Sequence, residues 1–320
     1  MHGVRDPDIR GAGDDAPGDL AGKTQVWLPS QPGVPDADKQ SALTALHLTP
    51  QLDALEAFFL HLRATVDPQL SAQLPVKLGK PYPLGQCLEI SLGVAQALRR
   101  FDAGDNPLAR RGGEALVAFC AAGGQVRRVW GDLRGQFFQN AFQVGSLYVD
   151  VANDSVVIDK PKVEILPFDC CGMAAIRNFE HFADLAGRYW GDRVLPNHIL
   201  PDLAPYFPLI HLAKDGGVLL REPSDYMVTM AMASEFEASR AFLAAHDMPD
   251  EVFKALQDTL CGVSSPLAAS PREGRADAIF RCDDYREQGW TTSMQIADRH
   301  VRMAEEINLR LTSSQISLRA

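Results

Sequence analysis

Paired cysteines at metal-ligand spacing are missing from this sequence. Its six cysteines, Cys87, Cys120, Cys170, Cys171, Cys261 and Cys282, form no CxxC pair and no Cys/His cluster with zinc spacing. No metal or cofactor is therefore expected. Basic runs are equally scarce. Arg110-Arg111 and Arg127-Arg128 are the only short clusters in a chain of formal net charge −10. Phosphate binding needs concentrated Lys and Arg, so nucleic acid is excluded as a partner. Long apolar runs are absent too. None approaches the roughly 18 residues a membrane span requires, so no membrane association is expected. The leader "MHGVRDPDIRGAGDDAPGDL" has no apolar signal-peptide core. With unpaired thiols, this points to the reducing cytoplasm of a bacterial cell. The acidic Gly/Asp/Pro composition also leaves open export through a specialised secretion system. The Gly-Gly pairs at 112, 123 and 216 match neither a P-loop nor a dinucleotide fingerprint, so nucleotide chemistry has no support.

What is present reads as an α+β chain. Residues 1–45 lack hydrophobic periodicity and are expected to be disordered. Residues 46–170 are expected to form a helix-plus-antiparallel-sheet core. Residues 171–320 form a mainly helical half packed on it. In "TPQLDALEAFFLHLRATVDP", Thr49 is placed to cap, and Leu52, Leu55, Phe59, Leu62 and Val66 make one stripe. A Pro/Gly connection leads to "QCLEISLGVAQALRRF", where Cys87, Ile90, Val94, Leu98 and Phe101 share a face. A third helix, "LARRGGEALVAFCAAGG", ends at Gly123-Gly124. Val, Phe, Tyr and Trp then mark strands in "QVRRVWGDL", "QFFQNAFQV", "SLYVDV", "SVVID" and "KVEILPF". Helices follow over 173–190, 224–246, 250–260 and 291–312. "RVLPNHILPDLAPYFPLIHL" is an ordered proline-fixed loop, and "GVSSPLAASPREG" is a Ser/Pro loop.

One order of elements carries chemistry. Cys87 opens a helix, a helix follows, and then a hairpin places Gln139-Asn140 before its turn and Asp150 after it. Unpaired N–H groups at a helix start favour thiolate over thiol, which is what a cysteine nucleophile needs. With its turn centred on Gly145, the hairpin sets Asn140 opposite Asp150. Over roughly Gly85 to Asp154 the chain resembles the transglutaminase-like branch of the papain-type cysteine enzymes. "GGQVRRVWGDLRG" is similar to the family's strand after its second helix, and "NAFQV…LYVDVAND" to its His-Ala-Trp hairpin and Val-Asp strand.

The resemblance implies a transglutaminase-like core with Cys87 as nucleophile and Asp150 as the orienting acid. It implies acyl transfer or hydrolysis of an amide or thioester on a small molecule, peptide or protein. Asn140 stands where the family has its histidine, and an amide is no general base at neutral pH. Three alternatives stay open. The domain is an inactive relative that binds a ligand or scaffolds, or a histidine from elsewhere (His198 or His211) supplies the base, or the likeness is coincidental. In the last case an unrelated enzyme could hold its site in the Pro-rich loop 196–211. A buried core cysteine and satisfied sheet amides are the structural readings of Cys87, Gln139 and Asn140. His181, beside Glu180 and Asp184, reads as surface electrostatics. Cys170-Cys171 read as structural, Asp283-Asp284 as weak cation ligands, and Met227, Met230 and Met232 as core filling. Oligomeric state leaves no signal in the sequence.

Overall fold

The computed structural model describes residues 27–77, 79–100, 105–214, 216–220 and 225–312. The chain divides into two compact units, Ser30–Val194 and a second that takes in residues 27–29 together with the chain from Leu195 onward.

In the first unit, helices α1 (Ala37–His47) and α2 (Leu52–Gln73) lead to a short hairpin, β1 (Val76–Lys77) with β2 (Lys80–Pro81). Helices α3 (Cys87–Leu98) and α4 (Pro107–Ala121) follow. Asn106 caps α4 by accepting the N–H groups of Leu108 and Ala109, with Pro107 in the first turn, where its missing N–H costs nothing. Strands β3 (Val126–Leu133), β4 (Phe137–Val144), β5 (Leu147–Asp150), β6 (Glu164–Pro167) and β7 (Met173–Ala174) form an antiparallel sheet in the order β6-β5-β4-β3-β7. Helix α5 (Phe179–Tyr189) closes the unit.

One face of the sheet, carrying Phe142, Val144, Leu147 and Val149, packs on Phe58, Phe59, Ile90 and Val94 of α2 and α3. The other face, with Val129, Leu133, Ala141, Tyr148 and Met173, clusters with Phe168 and Cys171. Helix α4 lies so close to α2 that a Cβ at Gly112 would overlap the backbone carbonyl of Ala54.

A small sheet ordered β10-β9-β8 is built from β8 (Arg193–Pro196), within which the chain passes into the second unit, and from β9 (Leu209–Leu212) and β10 (Val218–Leu220). Helices α6 (Asp225–Ala233), α7 (Glu237–Ala245), α8 (Asp250–Thr259), α9 (Pro271–Glu287) and α10 (Met294–Thr312) follow. Among the described residues, no helix is long and apolar enough to cross a membrane.

The α+β class and the small antiparallel sheet agree with the sequence reading, and several elements differ from it. The leader expected to be disordered to residue 45 contains α1, and the start of that leader lies outside the described residues. Thr49 donates its hydroxyl to the Thr44 carbonyl instead of capping, and α2 runs past Pro68 to Gln73. "SVVID" forms a turn, not a strand. The helix expected from 173 starts at Phe179, because Met173-Ala174 pair with β3. The expected 224–246 helix breaks at Glu235-Phe236, where both φ angles are positive. The Pro-rich loop ends in strand β9, and the last four residues of the expected Ser/Pro loop, Pro271 to Gly274, are instead the first turn of α9, capped by Ser270. Phe101, the last residue of the Cys87 stripe, lies outside the described residues.

Candidate functional site

Cys87 is the first residue of α3, and its apolar neighbours Ile90 and Val94 anchor that helix on the sheet. The side chain is 9% exposed. The Asn140 amide Nδ2 lies 3.5 Å from Sγ and donates to it, and the thiol points at the Phe138 carbonyl 3.9 Å away. Ser91, one turn along α3, donates to the Asn140 carbonyl at 3.1 Å and ties helix to strand. Burial pushes the Cys87 thiol up, and the Asn140 hydrogen bond only partly offsets it. Burial therefore works against the thiolate at this position.

Strand register then decides what can reach it. Val144 pairs with Leu147, Gln143 with Tyr148 and Phe142 with Val149, so the turn is the pair Gly145-Ser146, with Gly145 at φ +60°. The expectation that Asn140 faces Asp150 required a turn centred on Gly145 alone. Shifting the centre by half a residue changes the parity of the pairing. Asn140 therefore shares the helix-facing side with Phe142, and Asp150 shares the opposite side with Tyr148.

On that opposite side the carboxylate is fully engaged. Asp150 Oδ1 accepts the Ala152 N–H at 2.8 Å. Its Oδ2 accepts the Gln139 amide at 2.7 Å and the Tyr148 hydroxyl at 3.0 Å. Burial raises the Asp150 carboxyl to about 6 even though all three donors favour the charged form. Gln139 spends its second N–H on the Ala152 carbonyl at 3.2 Å. The four hairpin-associated candidates thus form two pairs, Cys87 with Asn140 and Gln139 with Asp150, on opposite faces of one sheet.

His198 and His211 belong to the second unit. His198 is buried, its Nε2 is 3.0 Å from the Leu243 carbonyl, and burial lowers its pKa. His211 is buried in β9 opposite Leu219. The loop between them is held by Asn197, which donates to the Phe207 carbonyl and accepts the Leu200 N–H.

Two arrangements went unseen in the sequence. His181 is not a surface residue paired along its own helix. Its Nε2 lies 2.9 Å from Asp132 Oδ2 on β3, and its Nδ1 accepts the Arg177 N–H at 3.3 Å. Nε2 thus holds α5 on the sheet, and Nδ1 ties the helix to the segment that leads into it. Around this contact Phe138 stacks on Trp130 (5.5 Å) and Trp190 (4.4 Å) and meets Phe182 at 4.9 Å. Alternation in β3 and β4 places Trp130, Asp132, Phe138 and Asn140 on one face. Reading α5 against that face was the available signal.

Elsewhere, Asp283 pairs with Arg240 and Arg286, and Asp284 with Arg281. Among the described residues no group of three or more His, Cys, Asp or Glu is placed to hold a metal ion. Cys171 is buried with its thiol on the Phe168 carbonyl, and Cys170 is exposed. No family model, curated protein or solved structure matches this chain.

Proposed function

We propose that the Ser30–Val194 unit is a non-catalytic binding module, with a transglutaminase-like arrangement that has lost its base. One observation carries this reading: the Cys87 sulfur meets an amide, and Asp150 is turned to the other face of the sheet. A cysteine nucleophile needs a neighbouring proton acceptor, and an orienting carboxylate needs that acceptor within reach. Asn140 supplies neither function, and its hydrogen bonds instead join α3 to β4.

The test is alkylation of the native protein with iodoacetamide near neutral pH, read residue by residue by mass spectrometry. Exposed Cys120, Cys170 and Cys261 should react well ahead of Cys87. Preferential modification of Cys87 would overturn the reading.

The second reading is cysteine-dependent acyl transfer or hydrolysis through Cys87. The position of that residue at the first turn of α3 favours it. This chemistry needs a base beyond the Cys87–Asn140 pair. Asn140→His returns a titratable nitrogen to that position. The second reading expects it to accelerate Cys87 alkylation, and the first expects only lost packing.

A further inference from the structure

The elements around the start of α3 also present a surface that the Cys87 geometry does not use. Phe137, at the beginning of β4, and Tyr189, at the end of α5, meet edge to face at 5.7 Å. Both rings are only partly buried. Lys80 of the β1–β2 hairpin holds its Nζ 5.6 Å from the Tyr189 ring centre, and Lys160 lies 6.0 Å from that of Phe137. The turn that carries Lys160 exposes Val157 (43%) and Ile158 (52%). Four separate stretches of sequence thus bring two cations and two aromatic rings together, with two exposed aliphatic side chains on the turn that carries Lys160. Nearby Lys77 and Lys162 are neutralised by Glu89 and Asp67, whereas Lys80 and Lys160 rest on rings.

We infer that this ledge of Phe137, Tyr189, Val157 and Ile158, flanked by Lys80 and Lys160, docks an acidic peptide segment carrying apolar side chains from a partner protein. The inference rests on the binding-module reading and names its ligand class. Aromatic rings with a charged rim are the composition of protein-binding hot spots. A cation drawn over a ring leaves its outward N–H groups free for carboxylates. On a chain of net charge −10, Lys80 and Lys160 together outnumber Asp159, the exposed carboxylate between Ile158 and Lys160, which favours the approach of an acidic partner here. An anionic bilayer fits less well. Membrane recognition uses denser basic clusters, and the net charge of the whole chain opposes it.

The experiment uses the full chain and a short fluorescein-labelled peptide of alternating Glu and Leu, followed by fluorescence anisotropy. The Glu/Leu peptide is expected to bind, and a Lys/Leu peptide of the same length is not. Affinity should fall with added salt. Combined Lys80→Glu and Lys160→Glu should weaken binding by about tenfold or more, with unchanged melting. Val157→Ser with Ile158→Ser should weaken it without changing the salt dependence. Equal binding of both peptides, no binding, or binding indifferent to charge reversal would overturn the inference. So would preferential binding to phosphatidylserine vesicles, or a charge-reversal effect confined to self-association in sedimentation.

Failure here is separable from failure of the binding-module reading. Fast Cys87 alkylation refutes non-catalysis whatever the peptide does. An inert Cys87 with no peptide binding removes only this surface.

Discussion

At the residue scale, the two polar pairs of the hairpin differ in what their burial costs. Cys87 loses little as a neutral thiol, because a buried cysteine behaves as a small apolar group. Asp150 is a fully buried carboxyl raised to about 6 by desolvation. Since the folded value lies above the unfolded one, the folded chain binds the extra proton. The stabilisation is complete below about pH 4 and is lost as pH rises through about 6, with an upper magnitude of roughly 3 kcal/mol. Chemical denaturation between those limits should show this loss, and infrared spectroscopy should show the Asp150 acid carbonyl band fading over the same range. Asp67 runs the other way. Hydrogen bonds from Lys162, Tyr82 and Arg63 outweigh its desolvation and lower its pKa, so its contribution disappears as pH falls through that lowered value. A stability profile that rises steadily from pH 4 to 6 would contradict the Asp150 assignment.

At the element scale, the joint between α2 and the end of the hairpin is an arginine with no exposed surface. Arg63 donates to the Val151 carbonyl at 2.6 Å, to both oxygens of Asp154 at 2.8 and 3.1 Å, and to Asp67. Arg63→Ala leaves the buried Asp154 carboxylate without its cation and should cost about 3–5 kcal/mol in denaturant unfolding. Arg63→Ala combined with Asp154→Ala should recover part of that loss. The same joint explains a misread element. "SVVID" has strand-like composition, but residues 153–155 form a 3₁₀ turn with Asp154 held by Arg63, so tertiary contacts override propensity. Strands β3 to β6 were legible because aromatic and β-branched residues pack on both faces. Helix α1 was not, because its buried positions are the polar Gln40 and Thr44. Helix α9 buries Gly274, Ala278, Cys282 and Tyr285, a mostly small-residue stripe that hydrophobic periodicity overlooks. The break between α6 and α7 carries no Gly or Pro to announce it. At the site, the residue types were legible and the sheet face was not. One position in the turn decides the face of every later side chain.

At the scale of the whole molecule, the boundary of the folding unit is itself testable. The helix and strand pattern of the sequence bounds a core at 46–170, whereas the compact unit is Ser30–Val194. The difference consists of specific structure. A 46–170 fragment lacks β7, which pairs with β3, and α5, which brings Phe179, Phe182 and Leu185 into the core at 2%, 4% and 0% exposure. It also lacks most of α1, whose Gln40 accepts the Gln125 N–H and whose Thr44 hydroxyl accepts the Ser146 N–H beside the hairpin turn. Burying an apolar side chain of this size is worth about 1.5–3 kcal/mol, and a domain's total stability is about 5–15 kcal/mol. Three such side chains from α5 alone are therefore comparable with the whole margin. The fragment 30–194 should melt cooperatively by circular dichroism, with coincident near- and far-ultraviolet transitions. The fragment 46–170 should retain helical signal but show no sharp transition. His181→Ala within 30–194 distinguishes anchoring from mere length. By freeing the Asp132 contact at 2.9 Å it should lower the melting temperature while keeping the transition cooperative. An unchanged melting temperature would mean that α5 is held by its apolar face alone.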